Sequence, residues 1–193
     1  FAMFLLQNGL NYYNADQTKT NFDDIIAVKA FEKWTDMYTK YGFEQSYDGF
    51  SRFRTGEYPI VISDYSFYNQ LSVASPEIKG LWGFTQVPGT VQEDGTVSHA
   101  VNSTSSGAVI FKKCKDVQGA WDFLKWFSST EVQVEYGTQI EGLLGQLGRY
   151  TTANTEALQQ LAWSKSEQET LLKAQSELQE IPIIPASYAV TRN

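Results

Sequence analysis

Cysteine and histidine, two residue types common in catalytic and metal sites, are nearly absent from this chain of 193 residues. It has one cysteine, Cys114, which lies among lysines, and one histidine, His99, which follows a turn. A single cysteine excludes a disulfide within the chain, and one His with one Cys is a poor ligand set for zinc. No G-x-S-x-G motif accompanies the histidine. We therefore predict no catalytic residue, no metal site and no cofactor.

Long apolar runs and an excess of positive charge are lacking as well. No run approaches the roughly 20 residues of a membrane helix, and no signal-like segment opens the chain. The 15 Lys and Arg residues face 22 Asp and Glu residues, for a net charge of −7, which disfavours nucleic acid as a partner. Because the chain starts inside the apolar segment 1–6 and ends without a stop signal, we expect a piece of a longer protein.

Aromatic residues, in contrast, are plentiful. The chain has 12 Phe, 5 Trp and 11 Tyr, and tyrosine is suited to a binding surface because one end of its ring is polar. This composition favours a surface for flat ligands or sugar rings. An aromatic-rich core is the alternative interpretation.

Apolar spacing and capping residues predict several helices. The expected segments are 23–41, capped by Asn21 and ended by Gly42; 117–127; a short helix from Thr130 to Gly137; and a helix that opens with the capping box Ser164–Glu167 and stops at Pro182.

Short apolar runs between these helices predict strands. Ile60–Ile62 and 107–111 are continuous apolar runs, as expected of strands buried on both faces, and 81–87 is a third candidate. We expect the first two in one sheet, with the helix around Trp121 packed on it. Helices alternating with single strands indicate an α/β fold. Trp82, Trp121 and Trp126 are interpreted as structural because they lie inside these elements.

Two chemical signals are weak. Alternating oxygen side chains from Asn14 to Thr20 mimic the start of a calcium loop, but Lys19 replaces the required Gly and Ile25 the closing Glu, which favours a polar turn. A glycosidase needs paired carboxylates, and a sequence cannot show such a pair.

Three motifs together resemble a known family. Gly56-Glu57-Tyr58-Pro59 precedes an apolar run, Trp82-Gly83-Phe84 leads to Pro88-Gly89, and Gly119–Phe127 is followed by Glu131-Val132-Gln133. In this order they resemble the C-terminal portion of bacterial extracellular solute-binding proteins of carbohydrate ABC transporters, of the maltose-binding-protein-like type.

The resemblance implies an α/β, periplasmic-binding-protein-like type II fold with two interleaved lobes. It assigns 1–60 to the second lobe, 61–128 to the first and 129–193 to the second again, with the N-terminal half of the protein absent. It also implies a non-enzymatic, extracellular, lipid-anchored subunit that captures a sugar or oligosaccharide in the interlobe cleft and delivers it to a membrane permease. An accessory domain of a carbohydrate-active enzyme and a ligand sensor for a membrane kinase are the alternatives.

Candidate ligand-binding residues are aromatic or polar residues near strand ends and loops, where the two kinds of contact that a sugar needs can meet. They are Asp64, Tyr65, Tyr68, Ser103, Thr104, Ser105, Arg149, Tyr150 and Tyr188. Alternatives are open for three of them: Asp64 as a helix cap, Arg149 as a partner of Glu141, and Tyr188 as a core residue.

Two structural expectations follow. At least two of Tyr65, Tyr68 and Tyr188 should line one concave, partly exposed face. An apolar patch at Ile60–Ile62 and 109–111 should stay uncovered or be hidden by self-association of the chain.

Overall fold

A computed structural model describes residues 1–103, 106–185 and 187 of the chain. Helices predominate in this part, and the predicted alternation of helices with single strands is not observed, because three of the four two-residue strands follow one another. The elements are α1 (Ala2–Gln7), α2 (Ile25–Thr39), α3 (Gly49–Arg54), α4 (Ser66–Ala74), β1 (Thr90–Val91), β2 (Val97–Ser98), β3 (Val101–Asn102), α5 (Val117–Phe127), α6 (Thr130–Leu144), α7 (Thr155–Leu158), α8 (Lys165–Ser176) and β4 (Leu178–Gln179).

The chain divides into two compact units, and each is built from separate stretches of sequence. The first unit comprises Phe1–Tyr47, Gln86–Ser105 and Lys173–Asn193; the second comprises Asp48–Thr85 and Ser106–Leu172. The backbone therefore passes between the units four times.

Contact between α1 and α2 forms the core of the first unit. Phe4 and Leu5 of α1 are buried against Ala27 and Ala30 of α2. The small alanine side chains let the two helices approach closely, and aromatic rings such as Trp34 surround the contact. The burial of these apolar side chains stabilises this unit.

Helix α2 is confirmed, with a later start than the sequence predicts. It spans Ile25–Thr39, and the Asp24 carboxylate caps it by accepting a hydrogen bond from the N–H of the second helical residue at 2.7 Å. The predicted cap, Asn21, is therefore wrong. Gly42 follows the helix with φ of 70°, a left-handed conformation that glycine adopts without strain.

The strands of the first unit form two separate pairs. Strands β1 and β2 make an antiparallel hairpin, and β3 pairs in parallel with β4, with Val101 opposite Leu178. Gln7 is buried beside the hairpin and binds it at two points: its Nε2 donates to the Pro88 carbonyl at 2.9 Å, and its Oε1 accepts from the Thr90 hydroxyl at 2.8 Å. Satisfying both ends of the amide makes its burial favourable.

The second unit has its own core around Leu158, Leu161 and Trp163. These residues are buried, and partly buried rings and aliphatic side chains of α4, α8 and the connecting segments pack against them. The core lies beside α6, where Gly137 permits the contact, because a Cβ there would meet Leu161 Cδ2 at 2.6 Å.

The predicted buried strands of the second unit are wrong. Segments Ile60–Ile62, 81–87 and 107–111 have no strand structure, so the sheet expected to combine Ile60 with Val109 is not present in the described residues. Ile60 is 78 % exposed and Phe111 is 77 % exposed. An apolar run becomes a strand only where neighbouring strands pair with its backbone, and no described segment does so here. These exposures agree with the expectation that apolar side chains at Ile60–Ile62 and 109–111 stay uncovered. Self-association of the chain through this surface remains a prediction.

Helix α5 is confirmed at its predicted bounds, but its predicted burial is wrong. Asp116 caps it by accepting a hydrogen bond from the Gly119 N–H at 2.8 Å. Trp121, Phe123 and Trp126 are each more than half exposed, because no sheet covers them within the described part of the chain. The interpretation of Trp121 and Trp126 as structural residues is therefore not supported.

Two other helices differ in length from the predictions. The sequence predicts that Gly137 ends helix α6, but the helix continues to Leu144. Gly137 instead allows α6 to pack closely against Leu161. Helix α8 opens with the predicted capping box, in which the Glu167 N–H donates to Ser164 Oγ at 3.3 Å and the Ser164 N–H donates to Glu167 Oε2 at 2.9 Å. It ends at Ser176, before Pro182, because the following residues pair as strand β4.

Across residues 1–103, 106–185 and 187, the helices are too short or too polar to span a lipid bilayer.

Candidate functional site

Helix α4 and the residue before it present two stacked tyrosines in the second unit. Tyr65 precedes the helix and Tyr68 lies three residues later; their ring centroids are 5.8 Å apart with 13° between the planes. Positions three apart share a helix face, so the local spacing brings the rings together. The N-cap residue of α4 is Tyr65. The exposed Asp64 carboxylate just before it accepts a hydrogen bond from the Ser66 N–H at 2.9 Å, so Asp64 contacts the start of the helix without being its cap residue.

Trp163 lies beneath this pair. Its ring is 5.1 Å from the Tyr68 ring and 5.7 Å from the Tyr65 ring, and Phe84 meets Tyr68 edge-on at 5.6 Å. The buried indole also donates a hydrogen bond from Nε1 to the Tyr150 carbonyl at 3.3 Å. Four aromatic side chains from three parts of the sequence therefore form one packed group, which we call the tyrosine cluster: Tyr65, Tyr68, Phe84 and Trp163.

Arg149 adds the one cation in contact with the tyrosine cluster among the described residues. Its Nε and Nη2 donate to Glu141 Oε1 at 3.1 and 2.7 Å, and its Nη1 donates to the Tyr68 hydroxyl at 2.9 Å. The guanidinium carbon lies 5.1 Å from the centroid of the Trp163 ring, a favourable cation–π distance. The Glu141 carboxylate balances this charge, as the alternative interpretation of Arg149 holds.

The backbone of residue 149 contacts the cluster too. The Arg149 carbonyl accepts hydrogen bonds from the Tyr65 hydroxyl at 2.8 Å and from Asn69 Nδ2 at 3.2 Å. Gly148 lets the segment before Arg149 lie close to α6, because a Cβ at this position would clash with the Ile140 carbonyl oxygen. A larger residue at Gly148 would displace the segment from α6.

Gln133 of α6 is hydrogen-bonded to Tyr150 and Thr152, which follow Arg149 in the chain. Its buried Oε1 accepts hydrogen bonds from the Tyr150 hydroxyl at 2.9 Å and the Thr152 hydroxyl at 2.6 Å, and its Nε2 donates to the Phe127 carbonyl at 2.7 Å. A buried amide with all these partners fixes the position of the 149–152 segment.

Burial and neighbouring side chains shift the pKa values of Tyr65, Tyr68 and Arg149. Burial raises the pKa of Tyr65, and the neighbouring Tyr68 raises it further. Burial also raises the pKa of Tyr68, although Arg149 opposes this shift. Burial alone would lower the pKa of Arg149, but its hydrogen bonds to Glu141 and Tyr68 outweigh this effect and raise it. Both hydroxyls are therefore neutral and the guanidinium is charged at physiological pH.

A cavity of about 370 Å³ opens beside Tyr68. Rings of Tyr68, Trp82 and Phe84 supply its apolar wall. Leu71, Gly80 and Gly83 also line it, and hydroxyl, amide and charged groups supply its polar part: Ser72, Lys79, Gln146, Ser166, Glu167 and Thr170. Aromatic side chains combined with several hydrogen-bonding groups suit a ligand that has both C–H faces and hydroxyls.

The structure brings together some of the sequence-predicted residues. Tyr65, Tyr68, Arg149 and Tyr150 contact one another or the same Trp163 in the second unit. Ser103 belongs to the first unit, where its N–H donates to the Gln179 carbonyl at 2.8 Å. Thr104, Ser105 and Tyr188 lie outside the described residues.

Sequence reasoning missed three contributors to this site. Trp82 was assigned a structural role, yet it lines the cavity and meets Tyr68 edge-on at 5.4 Å. Trp163 and Glu167 were not singled out as site residues, although Ser164–Glu167 was recognised as a capping box. An aromatic residue just before a helix start, at Trp163, is the signal that could have suggested a packed ring there.

The calcium-like loop and the single histidine both make hydrogen bonds within the protein. In the 14–20 loop, the Asn14 side chain accepts hydrogen bonds from the Thr18 and Lys19 N–H groups at 3.0 Å, which makes it the expected polar turn. His99 Nδ1 lies 2.7 Å from the Val87 carbonyl. No group of three or more His, Cys, Asp or Glu side chains suited to a metal ion occurs in the described parts of either unit.

Comparison with known proteins identifies the family. The family model described as bacterial extracellular solute-binding protein matches residues 1–170. No curated protein and no solved structure matches the chain significantly. The chain belongs to the bacterial extracellular solute-binding protein family, which indicates a periplasmic-binding-protein-like fold and an extracellular role in capturing solutes for transport.

Proposed function

We propose that this protein is the solute-binding subunit of an ABC importer and that it captures a sugar or oligosaccharide for delivery to the membrane permease. The observation that carries the proposal is the cavity beside Tyr68, whose wall is made of three aromatic rings. Sugar rings pack their C–H faces on such rings, and this contact has a favourable dispersion energy.

The polar lining supports a neutral ligand. Lys79 and Glu167 contribute one charge of each sign at the cavity, and Arg149 is already paired with Glu141. Ser72, Ser166 and Gln146 offer donors and acceptors of the kind that hydroxyl groups require. An anionic or cationic solute would find no unbalanced countercharge in this lining.

We propose Tyr68, which lines the cavity, as the direct ligand contact in the second unit. The other proposed site residues of this unit are Tyr65, Arg149 and Tyr150, which pack around Tyr68 and Trp163, and Asp64, which precedes Tyr65. Ser103, Thr104, Ser105 and Tyr188 are retained as proposed ligand contacts from the sequence. We also propose the finer features of the family type: a type II fold, two lobes formed by 1–60 with 129–193 and by 61–128, and a lipid anchor. The compact units divide the chain at other positions, after residues 47, 85, 105 and 172.

Isothermal titration calorimetry with neutral mono- and oligosaccharides, and with a peptide mixture for comparison, tests the proposal. Trp82→Leu keeps an apolar side chain but removes a ring from the cavity wall, so it should weaken saccharide binding about tenfold, the equivalent of one good ring contact. Trp126→Leu is the matched control, because it makes the same change at a tryptophan of the same unit that does not line the cavity. Binding of peptide alone, or unchanged saccharide affinity in Trp82→Leu, would contradict the proposal.

A further inference from the structure

The Arg149 side chain is occupied by other groups of the protein. Only 14 % of its side chain is exposed, and each of its three guanidinium nitrogens already donates to Glu141 or Tyr68. The guanidinium carbon lies over the Trp163 ring, 5.1 Å from its centroid. Three of the five N–H donors are used by these hydrogen bonds, and Arg149 is not among the described residues that line the cavity, so little of this side chain is available to a ligand there.

We propose that Arg149 is a positioning residue, which holds the Tyr68 ring in its binding orientation before a ligand arrives. This inference rests on the proposed function of the cavity beside Tyr68. The hydrogen bond from Nη1 fixes the hydroxyl end of Tyr68, and Trp163 is shared as a packing surface by both side chains. A ring that is already fixed loses less conformational freedom when the ligand binds.

Residue 149 holds the two tyrosines through different atoms. Its guanidinium binds the Tyr68 hydroxyl, whereas its backbone carbonyl accepts the hydrogen bond from the Tyr65 hydroxyl. A side-chain substitution at this position therefore removes the contact with Tyr68 and keeps the contact with Tyr65. The structure thus provides an internal control within the same stacked pair.

The ligand-free measurement is NMR of protein labelled with [4-13C]tyrosine, in which the shift of each ring Cζ reports the environment of its hydroxyl. Tyr65→Phe and Tyr68→Phe assign the two resonances. Arg149→Met should move the Tyr68 resonance and leave the Tyr65 resonance in place. Arg54→Met is the matched control, because Arg54 pairs with Glu77 at 3.2 Å and lies near the Phe50 ring in the same unit, and it should move neither resonance.

Arg149→Met leaves the Glu141 carboxylate without its partner, which destabilises a partly buried pair. The double variant Glu141→Gln/Arg149→Met removes this unpaired charge and should show the same selective movement of the Tyr68 resonance. An unmoved Tyr68 resonance, or equal movement of both tyrosines, in either variant would overturn the inference.

Calorimetry provides the second measurement. Arg149→Met should weaken binding of the saccharide selected with the wild type about threefold to tenfold, and this loss should shrink in the Tyr68→Phe background, because the two changes remove the same contact. Full additivity of the two losses would overturn the inference. If no saccharide binds the wild type, the proposed function fails, whereas selective movement of Tyr68 in the NMR spectra still supports the positioning role.

Discussion

Two groups of aromatic side chains in the second unit have the same local pattern and different surroundings. Tyr65 and Tyr68 are three positions apart beside α4, and Phe123 and Trp126 are three positions apart on α5. The α5 rings contact each other, with centroids 5.6 Å apart, yet both are more than half exposed. We call Phe123, Trp126 and Phe127 the α5 ridge.

The difference lies in what distant segments contribute. Within the tyrosine cluster, Trp163 packs against both tyrosine rings, and the tyrosine hydroxyls are hydrogen-bonded to the backbone and the side chain of Arg149. The α5 ridge has ring contacts with Tyr136 of α6, and the rest of its surface remains open. Helical spacing can therefore place rings together, but partners from elsewhere in the sequence decide whether the group is buried.

The largest expected effect separates the two groups by stability. Trp163→Ala removes a buried ring from the tyrosine cluster and should lower the free energy of unfolding by about 3–5 kcal/mol. Trp126→Ala, which truncates a ring that is 57 % exposed, should change it by less than about 0.5 kcal/mol. Urea denaturation of both variants measures these values. Similar losses would show that the α5 ridge is covered in solution.

An alkaline titration tests the burial of the tyrosines. Because the pKa of Tyr65 is raised in the folded protein, the unfolded chain loses this proton first as pH rises above about 10. The folded state then binds more protons than the unfolded state, so stability should fall by up to about 1.4 kcal/mol per pH unit for this residue. Tyr65→Phe should flatten the decline in urea-unfolding profiles recorded from pH 9 to 11.

The control for the titration is Tyr41→Phe. Tyr41 is 73 % exposed in the first unit, so this variant removes a tyrosine hydroxyl from the surface. A profile that flattens equally in the two variants would show that Tyr65 is solvated to the same extent as Tyr41.

The smallest effect concerns two glycines on α6. Gly137→Ala would place its Cβ 2.6 Å from Leu161 Cδ2, so the side chains of the second core must shift, at a cost of about 1–2 kcal/mol. Gly142→Ala meets no atom within 4 Å and should stabilise the helix by up to about 1 kcal/mol. Thermal unfolding compares the two variants. Equal stabilisation by both would mean that α6 does not pack closely on this core.

Local features of the second unit were predictable from the sequence. The bounds of α5 and the capping box at Ser164 depend on neighbours within a few residues, and both are confirmed. The pairing of Tyr65 with Tyr68 follows from helical spacing.

Features that depend on distant residues were not predictable. Tyr65 is 84 positions from Arg149, its hydrogen-bond partner, and no local pattern indicates such a contact. Gly137 was interpreted as a helix end because its packing partner, Leu161, lies in another segment. The strand predicted at Ile60–Ile62 failed for the same reason, since apolar composition does not supply a pairing partner.

The route of the chain through the first unit has a consequence for how this protein folds during synthesis. Strand β3 needs β4 at Leu178–Gln179, and Asn11 Nδ2 donates to the Glu180 carbonyl, 169 positions away. The stretches that make up the second unit end at Leu172. A growing chain therefore has the whole of the second unit available before the last stretch of the first. Although the first unit begins earlier in this chain than the second, its contacts with residues 178–180 can form only after all residues of the second unit have been made, which departs from the usual N-to-C order of folding.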